Sequence, residues 1–134
     1  MYMTREADYA LRCVFFLSKE AGRIISANEI AQSASIPKSF LAKILQRLSK
    51  KGVVRSTQGI GGGFQLTRQP REVNLLEVIE AIQGPSAMNV CAMDKQSCHL
   101  SATCAIHPVW VRLRQEVEER LKGEDFAKLI EGGP

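Results

Sequence analysis

Three cysteines of the chain lie close together in sequence. Cys91, Cys98 and Cys104 fall within fourteen residues, and His107 follows three positions after the last of them. Thiolates and imidazole are the ligands that hold zinc or an iron–sulfur centre in proteins, and a hydrophobic core does not require them in one loop. The spacing therefore predicts a soft-metal site with Cys91, Cys98, Cys104 and His107 as candidate ligands.

Two metal centres and one metal-free state fit these residue types. Thiolates stabilise clusters of iron with bridging sulfide, and three of them leave one coordination position for a harder ligand. Three thiolates and a histidine also suit structural zinc, although the Cys-x2-Cys pairs common in small zinc sites are absent from the sequence. A thiol switch, in which two of the cysteines form a disulfide on oxidation, is the third interpretation. His107 has a structural alternative as well, as a capping residue at the start of the last helix.

Composition and charge indicate a small protein with a basic amino-terminal half. Its 134 residues, 45% of them hydrophobic, suffice for one domain with a modest core. The chain has no apolar run of the roughly 18 residues that span a bilayer and no signal-peptide stretch at its start, so we expect a cytoplasmic protein without membrane contact. Residues 1–70 hold eleven Lys and Arg against four Asp and Glu, a net charge of +7, and residues 71–134 hold seven against ten, a net charge of −3. The basic half predicts a nucleic acid partner, with a solvated basic surface as the alternative.

Three helices are predicted in the basic half. Thr4 is a suitable N-cap for the first, and Ser26-Ala27-Asn28-Glu29 has the capping-box form that begins the second. The third runs from Pro37 to Lys51, and its apolar stripe comprises Leu41, Ile44, Leu45 and Leu48. Polar and basic side chains occupy the opposite face: Lys38, Ser39, Lys43, Gln46, Arg47 and Lys50. The last two helices therefore predict a helix-turn-helix motif whose second helix contacts phosphates and base edges.

A glycine-rich hairpin is predicted after these helices. Two short strand-like runs, 53–56 and 63–67, flank the segment 57–62. This segment contains three glycines, and a fourth begins the second run. A nucleotide-binding loop is not indicated, because no Gly-Lys-Ser/Thr ending is present. The better interpretation is a wing that approaches DNA closely, with glycines avoiding a collision and arginines meeting phosphate or a narrow minor groove. Its candidate DNA contacts are Arg55, Gln58, Gly59, Gly61, Gly62 and Arg68.

The remaining residues predict a helix, the cysteine loop and a long final helix. The first covers 74–82, and the last starts at Pro108 with an apolar stripe of Trp110, Leu113, Val117 and Leu121. That stripe predicts a dimer interface, with folding back onto the chain's own core as the alternative. Cys13, within an apolar run, is assigned to the core. The predicted fold is thus mainly α with a small β-hairpin wing: a winged helix-turn-helix domain at 1–84, a cluster-binding loop at 85–106, and a dimerisation helix with a tail at 107–134.

Taken together, these segments resemble the winged-helix transcription regulators that carry an iron–sulfur cluster. The resemblance covers nearly the whole chain and rests on Met3-Thr4 through Asp8-Tyr9-Ala10-Leu11-Arg12, on Leu45-Gln46-Arg47-Leu48, on the wing residues 61–66 and on the spacing Cys-x6-Cys-x5-Cys. It implies a homodimer that binds palindromic promoter DNA, with a 2Fe-2S or 4Fe-4S cluster sensing redox state, nitric oxide or iron–sulfur supply.

The resemblance also supplies a second candidate for the fourth ligand. Members that regulate cluster biogenesis use a histidine at the spacing of His107, whereas members that sense nitric oxide use a carboxylate from the partner subunit at the position of Asp8. The structural alternative for Asp8 is a first-turn carboxylate that interacts with the helix dipole. His107 is preferred because it is close to Cys104 in sequence.

Two other classes of protein are alternatives to a regulator. A redox enzyme or electron carrier could use the same cysteines, but no nucleotide motif or catalytic carboxylate cluster accompanies them, so we expect no enzyme. A scaffold that binds a partner through the final helix would leave the helix-turn-helix without a role.

Overall fold

The computed structural model of the chain describes residues 3–85 and 103–132. The described residues form six α-helices and one two-stranded sheet, and we number them in chain order. The elements are α1 (Arg5–Lys19), α2 (Ala27–Ser33), α3 (Lys38–Lys50), β1 (Val54–Thr57), β2 (Gly63–Leu66), a 3-10 turn (Pro70–Glu72), α4 (Leu75–Gln83), α5 (His107–Lys122) and α6 (Phe126–Gly132). The prediction of a mainly helical chain with a small hairpin is confirmed.

Local capping signals set the starts of three helices. The side chain of Thr4 accepts from the amide of Ala7, that of Ser26 from Glu29, and that of Asn74 from Glu77. Each side chain thereby satisfies one of the amides that a helix start leaves without an intrahelical partner. The predicted N-caps Thr4 and Ser26 are confirmed, and the helix predicted from Asn74 begins where expected.

The second and third helices form the predicted helix-turn-helix. Ala34 ends α2, Ser35 adopts a left-handed backbone with φ of 55°, and Pro37 precedes the first residue of α3. The amide of Ile36 donates to Ala31 O at 2.9 Å, and the Ile36 side chain is buried. This turn fixes α3 against α1 and α2 and leaves one of its faces toward solvent.

The core of the domain is apolar and lies among the helices. The predicted stripe of α3 is buried in full, with Leu41, Ile44, Leu45 and Leu48 each at most 2% exposed. Cys13 is fully buried in α1, as predicted, and burial raises the pKa of its thiol to about 12. Burial at this level makes Cys13 a small apolar core residue.

The hairpin is attached to the rest of the domain at its base. Its strands are antiparallel, with Val54 opposite Leu66 and Thr57 opposite Gly63. Ile25, which precedes α2, exchanges two backbone hydrogen bonds with Phe64 at 2.8 and 2.9 Å. A Cβ on Gly63 would collide with the Ile25 carbonyl, so only glycine permits this approach. The wing is therefore held beside the helix-turn-helix.

The chain after α5 forms a short helix that the sequence analysis did not identify. Glu124 and Asp125 lead into α6, whose Phe126 is fully buried in the same core as α1 and α4. The last described residues thus pack on the amino-terminal domain. Within residues 3–85 and 103–132, no helix is both long enough and apolar enough to cross a membrane.

Candidate DNA interface and metal centre

The solvent face of α3 carries every side chain that the sequence predicted there. All six are exposed: Lys38, Ser39, Lys43, Gln46, Arg47 and Lys50. The opposite face is buried, so α3 cannot turn these side chains inward without exposing its leucines. Cations and hydrogen-bonding groups on one rigid face are suited to phosphates and base edges.

Two of the predicted cationic contacts, Arg47 and Arg68, have polar partners within the chain. Arg47 Nη1 donates to the carbonyl of Ile82, the penultimate residue of α4, at 3.0 Å. Arg68 forms an ion pair with Glu77 and donates to the Glu72 carbonyl at 3.0 Å. These contacts direct both guanidinium groups toward α4, whereas Lys38, Lys43, Lys50 and Arg55 are exposed cations.

The tip of the wing is exposed and narrow. Gly59 and Gly61 have φ of 90° and 78°, backbone conformations that favour glycine. Gln58, Gly59 and Gly61 are exposed and Gly62 is half-buried, while Ile60 between them is fully exposed. Ile60 was not among the residues that the sequence predicted at this tip.

Cys104 and His107 are the two predicted metal ligands that the structure describes. Cys104 is a half-buried free thiol, and His107 is the first residue of α5. Cys91 and Cys98 lie outside the described residues, so the predicted ligand set as a whole stays a prediction.

The side chain of His107 is buried without a hydrogen-bond partner among the described residues. It is 6% exposed, and within 3–85 and 103–132 neither ring nitrogen is paired. Leaving a buried polar group unpaired costs about 1–3 kcal/mol. The capping alternative does not account for it, because the N-cap of α5 is Ile106 and makes no side-chain cap bond. A buried imidazole with unpaired nitrogens, three residues from a thiol, is suited to coordinate a metal.

Asp8, the other candidate for the fourth ligand, forms an ion pair with a neighbour on its own helix. Its Oδ2 lies 3.0 Å from Arg12 Nη2, and both side chains are half exposed. The Arg12 guanidinium also lies over the Tyr9 ring, 5.5 Å from its centroid. Asp8 therefore has the first-turn position of its structural alternative, and it forms an ion pair in addition.

The apolar stripe of α5 is incompletely covered in the single chain. Trp110, Leu113, Val117 and Leu121 are all half-buried, and His107 alone is buried among the sixteen residues of this helix. Ile106 and Val109 at its start are 57% and 51% exposed. The helix packs on α4, which leaves apolar surface available for another partner.

Contacts at the end of α4 were missed by the sequence analysis. Gln83 Oε1 accepts from both the amide and the hydroxyl of Thr4, at 3.1 and 3.3 Å. The partners are 79 residues apart in sequence, and Arg47 and Ile82 are 35 apart. No local pattern can predict pairs this distant.

Known proteins share both the sequence pattern and the fold. The family model described as Rrf2, iron-dependent transcriptional regulator, matches residues 3–132. An HTH-type transcriptional regulator of Aquifex aeolicus is 32% identical over 97% of this chain and 92% of its own length. The regulator NsrR of Bacillus subtilis is 32% identical over 81% of this chain and 76% of its own length.

Among solved structures, the chain is similar to CymR, the global cysteine regulator of B. subtilis, with a TM-score of 0.80. That similarity spans 100% of this chain and 99% of CymR at 23% identity, which supports the winged-helix fold. The relatives are transcriptional regulators and not enzymes, as the sequence predicted. Family match, winged helix-turn-helix and exposed basic recognition helix agree: the chain belongs to the Rrf2 family of DNA-binding transcriptional regulators.

Proposed function

We propose that the protein is a homodimeric regulator whose binding to palindromic promoter DNA is controlled by an iron–sulfur cluster. The observation that carries the cluster assignment is the buried, unpaired imidazole of His107, three residues after Cys104. Cys91, Cys98 and Cys104 would supply three thiolates and His107 the fourth ligand. When bound, such a cluster supplies a centre whose integrity depends on oxidants, nitric oxide and iron supply.

The chain's own residues would divide DNA recognition between α3 and the wing. Lys38, Lys43 and Lys50 are placed to bind phosphates, while Ser39 and Gln46 have groups that can donate to or accept from base edges. Arg55 and the glycine tip at 58–62 would follow the backbone into the adjacent minor groove.

Dimerisation would place two recognition helices at the spacing of a palindrome. The half-covered stripe of α5 supports this step, because pairing with a second copy of the helix would remove Trp110, Leu113, Val117 and Leu121 from water. Two helices read half-sites about one helical turn apart only when the dimer holds them at that separation.

Zinc is the second candidate for the metal, because three thiolates and the imidazole of His107 also suit tetrahedral zinc. Purification without oxygen, followed by an absorption spectrum and by quantitation of iron, acid-labile sulfide and zinc, distinguishes the two. Iron and sulfide in equal amounts, with visible absorption, are the expected result. A colourless protein that contains zinc and no sulfide would overturn the cluster assignment and leave the DNA-binding proposal standing.

A further inference from the structure

The carboxyl end of α4 is joined to the recognition helix by one side chain. Arg47 of α3 donates from Nη1 to the Ile82 carbonyl at 3.0 Å. This carbonyl lies in the last turn of α4, where a helix runs out of amide partners for its carbonyls, and Pro85 three residues later has no N–H to offer. The guanidinium also lies at the negative end of the helix dipole, where a cation is favoured.

The same end of α4 holds the start of α1. Gln83 accepts two hydrogen bonds from Thr4, whose hydroxyl oxygen in turn accepts from the Ala7 amide that begins α1. Two consecutive residues at the end of α4 therefore contact the first helix and the recognition helix. A displacement of this helix end would act on both.

A small surface pocket opens beside the contact of Arg47. The pocket has a volume of about 150 Å³ and is lined by Glu6, Phe40, Lys43, Ile44, Arg47 and Ile82. The buried side chains of Ile44 and Ile82 join α3 to α4 through the core, and the polar contact of Arg47 lies at the edge of that packing. Because Arg47 is exposed, its hydrogen bond can break without the collapse of the packed core.

We propose that Arg47 is a positioning residue, which transmits a change at the end of α4 to the orientation of α3, and that it is not a phosphate contact. The inference rests on the proposed function, since residues 85–106, which carry Cys91, Cys98 and Cys104, follow α4 directly in the chain. A ligand shifts a conformational equilibrium only as far as it interacts differently with the two states. Arg47 provides a contact that one state can make and the other can lose.

The test compares Arg47→Met with Lys50→Met, a matched change of a second exposed cation on the same helix. The probe is a duplex selected from random sequence by the wild-type dimer, with and without its metal. Anaerobic binding is measured with metal-loaded and metal-free protein over a range of salt concentrations. Hydrogen exchange of the amides at 80–84 is followed in the metal-free protein without DNA.

Arg47→Met is expected to keep the salt dependence of wild type but to lose the affinity difference between the two states, which for coupled sites is typically about 5–150-fold. Exchange at 80–84 should be faster in this variant, and Arg47→Lys, which retains a donor, should restore part of the difference. Lys50→Met should lower the slope of log affinity against log salt concentration by about one unit and keep the affinity difference between metal-loaded and metal-free protein.

An Arg47→Met protein with a flattened salt slope and an intact affinity difference would overturn the proposal, because the side chain would then be a phosphate contact. Equal affinities of the two wild-type states would overturn metal control itself and this proposal with it. A wild-type difference that survives in Arg47→Met overturns the positioning role alone. The two failures are therefore distinguishable.

Discussion

The backbone amide of Phe126 donates a hydrogen bond to the carbonyl of Val73 at 3.1 Å, and both side chains are fully buried. The amide of Leu75 donates to the carbonyl of Glu124 at 3.0 Å. These bonds attach the end of α5 to the segment that precedes α4. The helix with the proposed dimer interface is thus anchored to the domain that carries the recognition helix.

Removal of the Phe126 ring should lower the free energy of unfolding of the protein. Phe126→Ala leaves a cavity in the shared core, and large-to-small changes of buried phenylalanine cost about 3–5 kcal/mol of unfolding free energy. Urea denaturation of the metal-free protein measures the loss. The control Glu131→Ala changes an exposed residue of the same helix and should stay within about 0.5 kcal/mol of wild type. An equal effect of both substitutions would contradict the anchoring role of Phe126.

Local features of the fold were predictable from sequence, and distant contacts were not. Thr4, Ser26 and Asn74 cap helices through amides three residues away, so their roles are visible in short windows of sequence. Phe126 is bonded through its backbone to Val73, more than fifty positions earlier in the chain, and the sequence analysis did not identify its helix.

Prediction of the candidate site had the same limit. The alternation of buried and exposed residues on α3 identified its solvent face, because helical periodicity determines which side chains can be buried together. The same pattern did not reveal that Arg47 and Arg68 have partners on α4. The charge of an arginine predicts that its side chain is exposed, but it does not identify the residue with which the side chain pairs.

The two described cysteines should differ sharply in reactivity. Because burial raises the pKa of Cys13 to about 12, only about one thiol in ten thousand is ionised at pH 8, and the group is also inaccessible. Brief iodoacetamide treatment of the metal-free native protein should label Cys104 and leave Cys13 unmodified. Peptide mass spectrometry measures both sites, and denatured protein provides the fully labelled control. Rapid labelling of Cys13 in the native state would show that α1 opens.

The raised pKa of Cys13 also has a consequence for stability at high pH. The unfolded thiol ionises near its ordinary value of 9.0, while the folded thiol stays protonated up to about 12. The contribution of this thiol to the free energy of unfolding is therefore complete below pH 9 and is lost as the pH rises from 9 toward 12. Urea denaturation at several alkaline pH values measures the free energy of unfolding. Its loss with rising pH should be smaller for Cys13→Ala than for wild type, and equal losses in the two proteins would contradict this account.

A charge in the stripe of α5 should weaken the proposed dimer. Val117→Lys would place an ammonium group among half-buried apolar side chains, whereas Gln115→Lys adds the same charge at an exposed position of the same helix. Sedimentation velocity at several concentrations is expected to show a shift toward monomer for Val117→Lys only. If Val117→Lys lowers the unfolding temperature without changing the mass, the stripe folds onto its own domain and does not pair with a second copy.

Replacement of His107 should have opposite effects on the two states of the protein. His107→Leu removes two unpaired buried nitrogens, so the metal-free protein should gain up to about 1–3 kcal/mol of stability. The loaded protein should retain less iron after gel filtration, because one ligand is missing. Asp8→Ala serves as the rival test: iron loss in this variant alone would assign the fourth position to Asp8 and contradict the role of His107.

The central claim, that the state of the metal centre controls DNA binding, is tested most directly by one affinity measurement. Wild-type protein with and without its iron and sulfide is titrated without oxygen against the selected palindromic duplex, at one salt concentration, with a scrambled duplex as reference. We predict affinities for the palindrome that differ by at least about fivefold between the two states, while binding to the scrambled duplex stays the same. Equal affinities for the palindrome in both states would contradict the account.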